Sequence, residues 1–139
     1  MKIHLLYIGK ARDKHSNAIA EEFLKRSSRW AQCEMREVDP RRYDLAARHA
    51  QARRVLLDPA GKAMDSAAFA ALVKQCELDA RDLVFVIGGA DGLPSEWRSA
   101  GDRFLSLSAM TFPHELARAM LAEQIYRALA TLRGHPYPR

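Results

Sequence analysis

The sequence predicts an α/β domain whose mostly parallel sheet is flanked by helices, and three observations predict it. Apolar, β-rich runs alternate along the chain with segments of helical spacing. That order calls for crossover helices, because parallel neighbours cannot be joined by a two-residue hairpin. A length of 139 residues suffices for one core and argues against two, so residues 1–139 are read as one domain. A composition of 48% hydrophobic and 28% charged residues belongs to a packed chain and excludes a disordered tail, a collagen-like chain or a low-complexity linker.

The first buried strand is Ile3 to Ile8. Lys10, Arg12, Asp13 and Lys14 follow it where a secretory leader needs small residues, so the start reads as a strand and not as a targeting segment. Ile19, Phe23 and Trp30 mark a helix within Ser16 to Trp30, and Glu34 to Val38 is a weaker strand. A brief helix is expected around Tyr43 to Ala52. The strand Val55 to Leu57 then runs into the turn Leu57-Asp58-Pro59-Ala60-Gly61-Lys62. Phe69, Leu72, Val73 and Cys76 define a helix within Ser66 to Glu77, Leu83 to Ile87 is the third buried strand, and Phe104 to Leu107 is a weaker one. The two weaker strands are less apolar, which places them at or near the sheet's edges.

The last helix is the clearest. Leu116, Ala117, Met120, Leu121, Gln124, Ile125, Ala128, Leu129 and Leu132 form one stripe, with Pro113 in the first turn and Gly134 just past the end. Such a stripe is core or subunit interface. We expect a homodimer built on it, because Leu121, Ile125 and Leu129 offer more apolar surface than a small sheet face covers.

A net charge of +5 favours a polyanionic partner. The longest apolar stretches, Ser66 to Val73 and Leu83 to Ala90, are far short of the ~20 residues of a membrane span, so no membrane partner is expected. Cys33 and Cys76 lie far apart without metal-type spacing. They fit reduced thiols of a cytoplasmic protein, with no metal.

Chemistry is expected at the carboxyl ends of the strands, where open α/β sheets bind ligands. Gly88-Gly89-Ala90-Asp91-Gly92 follows one strand, the Leu57 to Lys62 turn another, and Ser106 to Pro113 a third, so three strand ends converge on one edge. The glycine turn is neither G-x-G-x-x-G nor a Walker A loop, and taken alone it is as readily a plain tight turn. No nucleophile elbow or metal cluster is present either, which disfavours an unrelated small-molecule enzyme.

Val55-Leu56-Leu57-Asp58 with Gly61-Lys62, Phe85-Val86-Ile87-Gly88-Gly89-Ala90-Asp91-Gly92-Leu93, Leu105 to His114, Glu123-Gln124-Ile125-Tyr126-Arg127 and His135-Pro136-Tyr137 stand in one order along the chain. In that order and spacing they resemble the small SPOUT-class methyltransferases that modify N3 of a pseudouridine in large-subunit ribosomal RNA. The resemblance runs nearly end to end. It implies a trefoil knot in the C-terminal half, a pocket for S-adenosyl-L-methionine made by the knot loops, and an obligate homodimer. The cofactor would be lined, mostly through backbone, by Leu57, Gly88, Leu107, Ser108, Ala109, Met110, Thr111 and Phe112. A side chain at Gly88 is therefore expected to fill the adenosine space while leaving the fold intact.

The same resemblance makes Asp91, Arg127, His135 and Tyr137 the catalytic candidates. Asp91 would orient the base or complement the sulfonium, though Asp before Gly is also a common turn residue, and relatives carry Glu there. Tyr137 would stack on an extruded base, with Arg127 and Arg139 holding phosphate or the uracil anion. Tyr126 stands beside Arg127 near the end of the last helix, and His114, which opens that helix, is as readily a satisfied surface residue as a ligand. Two departures stand out: Pro138 replaces a family histidine and has no proton to exchange, and Pro40 to Arg54 is shorter than in relatives. The substrate would be ribosomal RNA presented by a ribosomal particle, with Lys10, Arg12, Lys14, Arg41, Arg42, Arg53 and Arg54 available to phosphate. The alternative is a non-catalytic RNA- or ribosome-binding module on the same fold.

Overall fold

The computed structural model describes residues 1–137; Pro138 and Arg139, with the roles expected of them, lie outside the described residues. Five strands, β1 (Lys2–Tyr7), β2 (Gln32–Glu37), β3 (Arg53–Ala63), β4 (Leu83–Ile87) and β5 (Arg103–Ser106), form one sheet in the order β2-β1-β4-β3-β5. Every pairing is parallel. The two strands with the weakest apolar signal, β2 and β5, are the two edges, as their composition predicts.

Helices cover both faces. Alternate residues of β1 and β4 explain how: Ile3, Leu5, Tyr7, Leu83, Phe85 and Ile87 join one apolar cluster, whereas Leu6, Val84 and Val86 join the other. The first cluster is closed by α1 (Lys14–Ser27), α3 (Ser66–Leu78) and α5 (His114–Leu132). The second is closed by Val38, Tyr43, Leu45 and Trp97, from the segments around α2 (Leu45–Arg48) and α4 (Ser95–Arg98). All five residues of β4 are buried because it sits mid-sheet between both layers.

Three sequence expectations change. The helix expected over Tyr43 to Ala52 is the single turn α2, started by the Asp44 carboxylate accepting from Ala47 N–H at 3.1 Å. The turn expected after Leu57 is an excursion inside β3: both Leu57 and Lys62 pair with Leu105, so the intervening residues bulge out and the strand resumes. Gly61 permits this, since a Cβ there would stand 2.7 Å from the Phe104 carbonyl carbon. Finally, Leu121, Ile125 and Leu129 are fully buried within one chain, packed with α1, α3 and the sheet. The stripe of α5 is core, so it offers no surface for a dimer at those residues.

Candidate active site

The ends of β3, β4 and β5 and the first turn of α5 enclose a cleft of about 410 Å³. Its lining is largely apolar and backbone-rich: Leu57, Ile87, Gly88, Leu107 and Phe112 among others, with Ser108, Met110 and Thr111 from the loop between β5 and α5. Seven of the eight residues expected to hold the cofactor line it; Ala109 lies in the same loop, exposed, without lining the cleft.

Two turns give the cleft its shape. After β4 the chain doubles back at Gly89 to Gly92, where Gly92 N–H donates to the Gly89 carbonyl at 3.0 Å and Gly92 has φ +76°. A Cβ on Gly88 would meet Gly92 carbonyl carbon at 2.8 Å and oxygen at 2.9 Å. This corrects the expectation for Gly88: a side chain there would collide with the turn's own backbone, so it would displace the wall of the cleft before it filled any ligand space. The loop after β5 is braced by serines. Ser106 Oγ donates to the Ser108 carbonyl at 2.9 Å, and Met110 N–H donates to Ser108 Oγ at 3.0 Å. Among the described residues, Ser108 to Phe112 make no backbone–backbone hydrogen bond, so apart from the Ser108 carbonyl and the Met110 amide, which the two serine hydroxyls take, their backbone groups are available to a ligand edge.

An ion pair stands at the rim. Arg98 Nη1 donates to Asp58 Oδ2 at 2.5 Å, joining the β3 excursion to α4, and both residues line the cleft. Asp58 also accepts from Ala60 N–H at 2.9 Å. These two donors, Ala60 first and Arg98 next, hold the Asp58 carboxyl below the usual carboxylate range. Neither member was visible as a site residue in the sequence, because α4 carries no apolar periodicity and the pair is 40 residues apart.

Asp91 is exposed at the tip of the glycine turn, beside the lining residues Ala90 and Gly92 but not lining the cleft itself. The remaining catalytic candidates lie elsewhere. Glu123, a residue the sequence had not singled out for chemistry, accepts from Arg127 Nη2 at 2.8 Å and from the Tyr137 hydroxyl at 2.7 Å. The Arg127 guanidinium lies over the Tyr137 ring, 5.4 Å from its centroid. His135 joins through its Nδ1, which accepts from Tyr137 N–H at 3.2 Å, and Tyr137 packs edge-on against Tyr126. Burial first, and the Glu123 hydrogen bond next, push the Tyr137 hydroxyl above its ordinary pKa. The tail of the described chain is thus docked on its own helix. Ten residues of α5 separate Ala117, at the cleft, from Arg127, which is roughly 15 Å along the axis. Glu123 instead borders a second hollow of about 440 Å³, between α3 and α5, that shares Leu105 and Leu107 with the cleft wall.

Comparison with known proteins bears on this edge of the sheet. A family model described as "Predicted SPOUT methyltransferase" matches residues 1–138. The chain is 64% identical over 139 residues to Ribosomal RNA large subunit methyltransferase H of Solibacter usitatus, covering all of both chains. It is 41% identical over 143 residues to the protein of that name from Sorangium cellulosum, covering 99% of each. The chain belongs to the SPOUT methyltransferase family. Solved structures agree on the fold: a probable methylase family protein from Haemophilus influenzae has a TM-score of 0.65 at 10% identity, over 99% of this chain and 70% of that one. The SpoU methyltransferase AviRb from Streptomyces viridochromogenes, solved with the cofactor AdoMet, has a TM-score of 0.52 at 15% identity, over 94% of this chain and 61% of that one.

In this SPOUT chain, the cleft fits the adenosine part of an S-adenosylmethionine molecule on two observations. Apolar walls from Leu57, Ile87 and Phe112 suit a flat heteroaromatic ring, and the backbone groups of Ser108 to Phe112 that the serine braces leave free suit its hydrogen-bonding edge. Among the described residues no group of three or more His, Cys, Asp or Glu has metal-site geometry, and no helix is long and apolar enough to cross a membrane.

Proposed function

We propose that this SPOUT protein is an S-adenosylmethionine-dependent methyltransferase of large-subunit ribosomal RNA, acting at N3 of a pseudouridine on a ribosomal particle. The observation that carries this reading is the backbone-walled cleft at the carboxyl ends of β3, β4 and β5, in a chain whose full-length relatives bear a ribosomal RNA methyltransferase name. The reading includes one SPOUT domain over 1–139, a trefoil knot in the C-terminal half, a cytoplasmic location and a homodimer.

When bound, S-adenosylmethionine supplies a methyl group on a sulfonium; transfer to N3 breaks the sulfur–carbon bond, forms a nitrogen–carbon bond and releases the N3 proton to a base. The chain's residues divide that work. Leu57, Gly88 and Leu107 to Phe112 would hold the methyl donor in one orientation. Asp91, on the exposed turn beside it, orients the incoming base. Arg127, Tyr137 and His135 hold the nucleotide: a cation for the developing imide anion, a ring for stacking and an imidazole that accepts a proton. Because Arg127 sits roughly 15 Å along α5 from the cleft, and His135 and Tyr137 pack against that same end of the helix, these three would serve a partner copy's cleft. This supports the homodimer on grounds other than the buried stripe of α5.

The test has two readouts. Calorimetry should show S-adenosylmethionine binding, and incubation with large-subunit particles should add one methyl group to a pseudouridine, read by nucleoside mass spectrometry. Cofactor binding without methylation would favour the RNA-binding module instead, and absence of both would overturn the reading.

A further inference from the structure

The loop that joins β1 to α1, Ile8 to Asp13, begins and ends on the walls of the cleft. At its start, Ile8 N–H donates to the Ile87 carbonyl at 3.1 Å, and the Ile8 carbonyl oxygen lies 3.1 Å from where a Cβ on Gly89 would stand. At its end, one carboxylate holds it. Glu115, the residue after the cleft-lining His114, accepts from Asp13 N–H at 3.0 Å, from Arg12 N–H and from Asn17 Nδ2 at 3.0 Å. These donors, the two backbone amides first, hold the Glu115 carboxyl below its ordinary range. Asn17 in turn accepts from Arg118, whose side chain is fully buried and stacked 3.7 Å from the Tyr7 ring centroid, so the anchor is built into the core.

The loop carries Lys10 and Arg12, and Lys14 opens α1 immediately after it; all three are exposed and none forms an ion pair with another described residue. Two of the other basic residues named in the sequence are committed elsewhere. Arg54 donates to the carbonyls of Ala100 and His49, and Arg41 pairs with Asp39. Two free cations on a short loop and a third at the start of α1, with the loop tied at one end to β4 and at the other to the first turn of α5, offer phosphate an edge beside the cleft.

We infer that Lys10, Arg12 and Lys14 are the docking edge for the backbone of the RNA substrate, and that Glu115 is the positioning residue that sets this edge against the cofactor cleft. The inference rests on the proposed RNA substrate. It assigns a role to a carboxylate that, by charge alone, works against RNA.

That opposition makes the test decisive. Removing a negative charge from beside three cations would tighten a polyanion if charge alone mattered, whereas loss of the anchor should loosen it. For Glu115→Ala we expect about a 10-fold weaker Kd for fluorescein-labelled large-subunit ribosomal RNA fragments by anisotropy. Cofactor affinity by calorimetry should be unchanged, as should the circular dichroism spectrum. Glu115→Gln, which keeps an acceptor, should recover much of the loss. The triple variant Lys10→Gln, Arg12→Gln, Lys14→Gln should lower the slope of log K against log salt by about 2 to 3, at about 0.7–0.9 for each phosphate no longer neutralised. In methylation assays both variants should raise KM for RNA and leave kcat unchanged. Tighter RNA binding by Glu115→Ala, or an unchanged salt slope in the triple variant, would overturn the inference. RNA binding that behaves as expected in a protein that never methylates would instead count against the proposed function alone.

Discussion

The two ends of α5 build their sites by different means. At its first turn, the cleft is shaped by backbone: Gly88 lies against Gly92, Gly61 lies against Phe104, and Ser106 and Ser108 brace a loop that makes no backbone–backbone hydrogen bond of its own. Near its last turns, the cluster of Glu123, Arg127, His135 and Tyr137 is shaped by side chains that hold one another. The difference predicts opposite mutational behaviour. The cleft should fail when atoms are added and tolerate their removal at the rim, whereas the cluster should fail when atoms are removed.

The largest effect should come from adding atoms at the cleft. Gly88→Val puts a branched side chain where even a Cβ would stand 2.8 Å from the Gly92 carbonyl carbon, so the turn must move. Displacing packed backbone costs on the order of 3 kcal/mol. We expect a lower melting temperature together with loss of S-adenosylmethionine binding. A folded Gly88→Val protein with both unchanged would show that the close approach is not part of the wall.

At the other end of α5, deletion is the sharper probe. Glu123→Ala removes the acceptor shared by Arg127 and the Tyr137 hydroxyl and leaves a half-buried guanidinium without its carboxylate. A cost of about 1–2 kcal/mol is expected by denaturant titration, with cofactor affinity unchanged. Tyr137→Phe should lose less, since the ring still packs on Tyr126. If Glu123→Ala abolished cofactor binding, the two ends of the helix would not be separate sites.

The same contrast explains what could be read in the sequence. The strands and the edge that bears the cleft were legible, because buried strands announce themselves as apolar runs and backbone-built turns as glycines at strand ends; the cofactor roles of Leu57, Gly88 and Leu107 came only from the resemblance to SPOUT methyltransferases. The Leu57 to Lys62 excursion was misread as a turn because its closure depends on Gly61 meeting β5, more than forty residues on. Glu123, Glu115 and Arg98 were missed for one reason. Each acts through a partner supplied by the fold, and a lone acid or arginine on a helix carries no mark of that partner. The stripe of α5 misled in the other direction: its apolar width was real, but α1 and α3 together with the sheet bury its centre at Leu121, Ile125 and Leu129.

The smallest effect should come from removing atoms at the rim of the cleft. Arg98→Ala takes away one of the two donors that hold Asp58, but Ala60 N–H remains. Arg98 is half exposed, so solvent screens the pair and its loss should cost less than about 1 kcal/mol. The sign with pH follows from Asp58. Its carboxyl titrates below the ordinary 3.8 in the folded chain, so the pair's contribution is present above about pH 4 and is lost as pH falls through the folded value. Wild type and Arg98→Ala should therefore differ slightly in stability at pH 7 and converge as pH falls below the folded value of Asp58, by urea titration across the acid range. Cofactor affinity at pH 7 should change less than about threefold, because backbone and apolar walls carry the binding. A loss of tenfold or more would mean that a side-chain ion pair, and not the backbone of the two turns, holds the cleft in shape.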